Sequence, residues 1–140
     1  MSVFWKREIP LSALQVDLES GKQWRYSELR AWTENCAQRL REIGVVPGTR
    51  CALICSTTAQ AIFVHIACAM LGAILVSVNA SLSPGEIWAQ VDNSRAVHCF
   101  TEHQYLPKVE DVKRIGTVRT GGRISVSFIF PLQAFFTFFF

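Results

Sequence analysis

Apolar and polar positions divide the chain unevenly, and one stretch governs the rest. From Arg50 to Val78 it reads RCALICSTTAQAIFVHIACAMLGAILVSV, and after Arg50 no charged side chain occurs until Glu86. Cys51 to Cys55 is a short apolar run. Ser56, Thr57 and Thr58 follow with hydroxyls suited to capping a helix start. Ala59 to Leu71 is long enough for a helix and apolar on nearly every face. Gly72 can end it in a left-handed conformation, and Ile74 to Val78 is rich in β-branched residues. The pattern predicts strand, buried helix, strand. A second reading fits the same stretch, because Ala59 to Val78 approaches the ~20 apolar residues that cross a bilayer. Three features favour the buried unit: the β-branched cluster after Gly72, the polar interruptions at Gln60 and His65, and the absence of nearby Lys or Arg other than Arg50.

The flanking segments continue the alternation of strands and helices. Ala13 to Leu18 and Gln23 to Tyr26 alternate around a turn at Glu19-Ser20-Gly21-Lys22, which predicts a hairpin. Ser27 can cap the next helix with Glu28 favourable to its dipole. Leu29, Trp32, Cys36, Leu40 and Ile43 recur at helical spacing, with Arg30, Glu34, Arg39 and Arg41 on the solvent side. Gly44 ends that helix, and Pro47-Gly48 suits the centre of a type II turn into the Cys51 strand. After Asn79, Ser83-Pro84-Gly85-Glu86 places Ser at the cap, Pro at the first helical position and Glu at the third, a capping box. That helix carries Ile87, Trp88 and Val91 and ends near Asn93. Ala96 to Phe100 is a further short strand, and Leu106, Val109 and Val112 mark one side of a modest charged helix. Strand and helix in strict alternation imply a parallel sheet with right-handed crossovers.

Composition narrows the classes. The 140 residues suit one domain with a real core, half of them are apolar, and the net charge is a weak +3. The mean hydropathy of +0.24 is high, but the excess lies in the central stretch and the extreme C-terminus. Basic and acidic residues alternate between Lys6 and Arg41, so no nucleic-acid face stands out. Five cysteines, at 36, 51, 55, 68 and 99, lie on apolar runs with no C-x-x-C pair. Reduced, buried thiols in a cytoplasmic setting are expected, with no metal site. Charges fall where a signal peptide needs its apolar core, and Ser2 excludes myristoylation. There is no peroxisomal Ser-Lys-Leu ending.

Candidate chemistry is sparse. His65 is assigned to the buried helix, His98 to a short strand and His103 to a loop, with no Ser or Cys in a nucleophile-elbow setting near them. Glu102, Glu110 and Asp111 read as a solvated helix edge without metal-ligand spacing. Trp24, Trp32 and Trp88 read as packing anchors. No catalytic, cofactor-binding or metal-ligating residue is assigned.

A resemblance covers Gln15 to Arg114. Trp24-Arg25-Tyr26-Ser27-Glu28-Leu29, then Leu40-x-x-Ile43-Gly44-Val45-x-Pro47-Gly48-x-Arg50-Cys51-Ala52, then Ala73-Ile74-Leu75-Val76-Ser77-Val78-Asn79, then Glu86-Ile87 and Asp92-Asn93-Ser94, are similar in order and spacing to the start of the adenylate-forming (AMP-binding) enzymes. These include fatty acyl-CoA synthetases, 4-coumarate:CoA ligases and luciferases. Ala80 departs from the Pro that commonly follows the Asn. The resemblance implies an α/β fold in which an N-terminal hairpin and helix precede a partial parallel sheet of βαβ units, a truncated half of a larger doubly wound domain.

The resemblance also implies a chemistry. A carboxylic acid attacks the α-phosphate of ATP with Mg²⁺, and coenzyme A then displaces AMP from the acyl-adenylate. That reaction needs a Gly- and hydroxyl-rich phosphate loop with its Lys, and a further Lys for the reacting acyl phosphate. The family carries these further along a longer chain, so this chain is expected to bind none of the three cofactors and to be inactive alone. Ser56-Thr57-Thr58-Ala59 resembles the phosphate loop but lacks its glycines and Pro-Lys-Gly, and reads as a strand-to-helix turn. Gly116 to Arg123 has glycines and cations without G-K-[ST], and reads as a flexible loop. Residues 1–114 are therefore expected to form the partial ligase subdomain. Residues 115–140, ending in FIFPLQAFFTFFF, are expected to be an unrelated Gly/Arg and then Phe-rich tail, disordered or apolar, from read-through or an alternative exon. Two other functions stay open: a small membrane-associated protein with a span near residues 59–78, and a regulatory or decoy fragment that self-associates or pairs with a full-length relative.

Overall fold

The computed structural model of the chain describes residues 13–16, 23–120 and 125–128. A two-stranded antiparallel ladder joins β1 (Ala13–Val16) to β2 (Gln23–Arg25), as the alternation predicts. The turn expected at Glu19 to Lys22 lies outside the described residues. Helix α1 (Tyr26–Glu42) starts two residues earlier than a Ser27 cap would allow, with Arg25 at the cap position. Glu28 supplies the acceptor instead, its Oε2 taking the backbone N–H of Arg25 at 3.0 Å. Cys36 and Leu40 are buried as expected, joined by Thr33 and Ala37, while Ile43 is 43% exposed because it is the residue at which the helix ends. The buried Thr33 hydroxyl donates to Leu29 O at 2.6 Å, which satisfies it within the helix.

Gly44 and Gly48 then take φ of +93° and +83°. Thr49 N–H donates to Val46 O at 3.0 Å across Pro47-Gly48, the closing bond of the expected turn. It delivers the chain into β3 (Arg50–Cys55). Helix α2 (Ala59–Leu71) follows, capped by Thr58, whose Oγ1 accepts from Ala61 N–H at 3.3 Å. Gly72, at φ +68°, ends it, and β4 (Ile74–Asn79) pairs parallel to β3. The continuous span considered for residues 59–78 is thus not formed: Gly72 splits it into helix and strand. No helix among the described residues is long and apolar enough to cross a membrane.

The second half repeats the unit. The capping box opens α3 (Pro84–Ser94), with Ser83 N–H donating to Glu86 Oε2 at 2.9 Å and Glu86 N–H to Ser83 Oγ at 3.4 Å. Strand β5 (His98–Thr101) begins two residues later than expected, after a left-handed turn at Arg95. A short 3-10 turn (His103–Tyr105) leads to α4 (Leu106–Thr120). The loop expected from Gly116 is helical as far as Thr120, and the helix crosses the boundary placed at residue 114. Beyond it β6 (Ser125–Phe128) pairs parallel to β5; the Phe-rich stretch after Phe128 lies outside the described residues.

The parallel sheet runs β4-β3-β5-β6. Of its two inner strands, β3 has buried side chains on both faces, so it reads as a continuous apolar run. Cys51 and Leu53 face α1 and α2, in a core with Cys36, Leu40, Val64 and Phe100. Ala52 and Ile54 face α3 and α4, in a core with Ile87, Trp88, Val91 and Val112. Helices therefore cover both faces. The β1-β2 ladder is held to this body by Trp24, whose ring meets Trp32 at 5.4 Å and Phe63 at 5.2 Å, both edge-on. Lys108 ties the second layer to the end of β4, its Nζ donating to Ala80 O at 2.7 Å and Leu82 O at 3.1 Å.

Candidate functional site

Strand order decides where a ligand crevice would lie. From β3 the chain crosses by α2 to β4 on one side; from β5 it crosses by α4 to β6 on the other. The connections leave these adjacent strands in opposite directions, so their carboxyl ends flank the switch point of the sheet, the usual position of a crevice in open α/β sheets. Ser56 follows β3 there, and Glu102 follows β5.

These residues are bonded to each other. Ser56 Oγ lies 2.9 and 2.8 Å from the two Glu102 carboxylate oxygens, and Ser56 N–H donates to Glu102 Oε2 at 3.5 Å. Gln104 Nε2 adds a donor to Glu102 Oε2 at 2.6 Å. Beneath them the buried Thr101 hydroxyl donates to Ile54 O at 2.9 Å, tying the ends of β3 and β5 together. Burial, reinforced by the negative charge of Glu102, pushes the Cys55 thiol up to about 11. Glu102 is therefore not the edge of a solvated helix; it clasps two loops. Glu110 stays exposed on α4, and Asp111 pairs with Arg114 at 2.8 Å.

Does this arrangement fit a nucleotide phosphate? The donors expected of a phosphate loop, the Ser56 amide and hydroxyl, already point at a carboxylate. A triphosphate placed there would face Glu102. Ser56-Thr57-Thr58 thus serves as strand end and helix cap, and the cluster does not fit ATP. The sequence assigns Ser56 to a strand-to-helix turn and Glu102 to a solvated helix edge, and does not bring the two together. The available signal was that each immediately follows an apolar strand, which in a sheet of this order places both at the switch point.

The histidines separate. His98 sits in β5 with its ring stacked on Phe100 at 6.3 Å, its Nδ1 is buried without a partner, and burial lowers its pKa. His103 is exposed in the 3-10 turn. His65 departs from expectation: it lies on the exposed side of α2, and its Nε2 is 2.9 Å from Ser77 Oγ. All five thiols are free. Cys36, Cys51 and Cys68 share one core, in which burial pushes Cys36 up to about 12 and a bond from the Cys68 thiol lowers Cys51. Among the described residues no group of three His, Cys, Asp or Glu side chains is placed to hold a metal.

Known proteins share this architecture. The family model described as AMP-binding enzyme matches residues 7–129. The chain is 28% identical over 110 residues to 4-coumarate–CoA ligase 5 of Oryza sativa subsp. japonica, covering 79% of this chain and 20% of that protein. It is 32% identical over 92 residues to 3-oxocholest-4-en-26-oate–CoA ligase of Rhodococcus rhodochrous, covering 66% of this chain and 17% of that one. The inhibitor-bound N-terminal domain of FACL13 from Mycobacterium tuberculosis superposes with a TM-score of 0.79 at 21% identity, over 90% of this chain and 31% of that chain, a likeness of fold. The chain spans about a fifth of the length of the curated relatives it matches. A match over most of its residues, in the order of elements the structure displays, settles the family: the chain belongs to the AMP-binding enzymes.

Proposed function

We propose that these residues form the N-terminal α/β part of an acyl-CoA ligase, which activates a carboxylic acid with ATP and Mg²⁺ and passes it to coenzyme A. The family match over residues 7–129 carries this reading, and two relatives named as CoA ligases support it. The segment acts as scaffold. Its switch-point loops are closed by a carboxylate, and its sequence holds neither the Gly- and hydroxyl-rich phosphate loop nor the catalytic Lys, so the 140 residues alone do not adenylate. Five free thiols suit a reducing, cytoplasmic compartment.

Exchange of labelled pyrophosphate into ATP, driven by a panel of carboxylic acids, tests both parts. The chain alone is expected to give none; exchange that survives repurification would overturn the scaffold role. A chimera in which residues 23–120 replace the matching segment of the rice ligase is expected to retain exchange. A folded, soluble chimera without it would count against the ligase reading.

A further inference from the structure

The exposed side of α2 meets the outer strand of the sheet at His65 and Ser77. His65 Nδ1 lies 2.8 Å from Ala61 O, and Nε2 lies 2.9 Å from Ser77 Oγ. A carbonyl oxygen only accepts, so the ring proton sits on Nδ1 and the Nε2 lone pair receives the Ser77 hydroxyl. A hydroxyl, a base aimed at it and a third group fixing the base's tautomer are the parts of an activated nucleophile. Both side chains are exposed to reagents.

The backbone adds a donor. Strand β4 is one of the two edge strands of the sheet, and Ile74 N–H points inward to Thr49 O at 2.8 Å. Alternation along a parallel ladder then turns the N–H of Ser77 outward, where no strand neighbours it among the described residues. A hydrogen-bond donor beside the attacking oxygen suits a developing oxyanion. Ile62, 37% exposed, and the exposed Ala69 lie one turn to either side of His65 and offer an apolar surface to a small acyl group.

We propose that Ser77, with His65 as general base, takes an acyl group from activated esters. Ser77 Oγ bonds to the carbonyl carbon as its proton passes to Nε2. The tetrahedral adduct then breaks its bond to the leaving oxygen, which departs with that proton. Water, deprotonated by Nε2, releases the acyl group as a carboxylic acid and restores the hydroxyl. This activity is separate from the ligase reading and stands if that reading falls.

An alkyl fluorophosphonate tests it on the full chain: an Oγ–P bond forms, fluoride leaves and His65 holds the proton. Peptide mass spectrometry is expected to place the adduct on Ser77, with labelling at least about a hundredfold slower in His65→Gln, the low end of what a general base contributes. No adduct on Ser77, or equal labelling in a folded His65→Gln, would overturn the proposal. If His65→Gln does not fold, Ser77→Cys decides. Beside the imidazole its thiol is expected to react with iodoacetamide at least about tenfold faster than free cysteine, following the thiolate enrichment that a neighbouring base produces; reaction no faster than free cysteine would also overturn it.

Discussion

At the scale of single residues, the least expected position is Gly116. Glycine is a poor helix former, and beside Thr117 and Arg119 it reads as loop. In the structure it is buried inside α4, where a Cβ would lie 2.3 Å from Trp88 Cζ3. Its role is to leave room for an indole 28 positions earlier in the chain, a contact that no local pattern registers. Two effects compete in Gly116→Ala: the helix gains about 1 kcal/mol of propensity, while displacing a packed ring costs about 1–3 kcal/mol. Trp88 is only 5% exposed and has little freedom to move, so net destabilisation of about 1–2 kcal/mol is expected by chemical denaturation. A stabilised variant would mean that the ring is not held there. The buried thiols make a second prediction. Burial pushes Cys36 and Cys99 from their ordinary value near 9 up to about 12. Between those limits the unfolded chain has lost protons that the folded chain keeps, so folding is favoured fully below pH ~9 and loses about 1.4 kcal/mol per thiol per pH unit above it. Denaturation midpoints measured from pH 8 to 11 should fall steadily, and Cys36→Ala and Cys99→Ala should each flatten the decline. A flat profile in the parent would show that these thiols ionise freely in the fold.

At the scale of elements, helix and strand boundaries were largely legible because their signals are local. Thr58 caps α2, Gly72 ends it and the Ser83 box opens α3, each where hydroxyl, glycine and acid stand in the expected order. Where the reading slipped, a different local device decided. Glu28, not Ser27, satisfies the start of α1, and Arg95 in a left-handed conformation delays β5 to His98. The extent of α4 was missed because Gly116, which reads as loop, packs against Trp88 of α3, and the exposed Thr117, Val118 and Arg119 simply continue the helix. The Ser83 box is the most self-contained of these devices: the Ser83 hydroxyl takes the Glu86 amide, and the Glu86 carboxylate takes the Ser83 amide. Ser83→Ala is expected to cost about 1 kcal/mol, as N-cap truncations do, and Ser83→Asp much less. Circular dichroism through denaturant unfolding would measure both, and an equal loss for the two substitutions would show that the cap is not the source of stability. Those Ser83 bonds also lower the Glu86 pKa. Their stabilising effect is therefore present above the ordinary carboxylate range and fades as pH falls through it.

At the scale of the whole molecule, alternating strands and helices implied a parallel sheet but left its strand order open, and the order creates the sites. Ser56 and Glu102 are 46 residues apart and meet only because β3 and β5 are neighbours; His65 and Ser77 meet only because α2 folds back over β4. Spacing carries no trace of the His65–Ser77 pairing, and it points to Ser56 and Glu102 only once the strand order is known. The same order produces two separate cores, one on each face of the sheet. Val64, on α2, belongs to the first, and Val91, on α3, to the second, both nearly fully buried. Layers packed on opposite faces of a sheet stand about 10 Å from it on either side, and these valines share no core partner, so their truncations should act independently. Val64→Ala and Val91→Ala are each expected to cost about 1–3 kcal/mol, below the range for larger aliphatic side chains. The double variant should lose the sum to within about 0.5 kcal/mol. Coupling well beyond that would mean that β3 transmits strain between its faces, as a strand with tightly packed Ala52 and Leu53 back to back is able to do. Additivity would instead establish that the sheet isolates the two layers from one another.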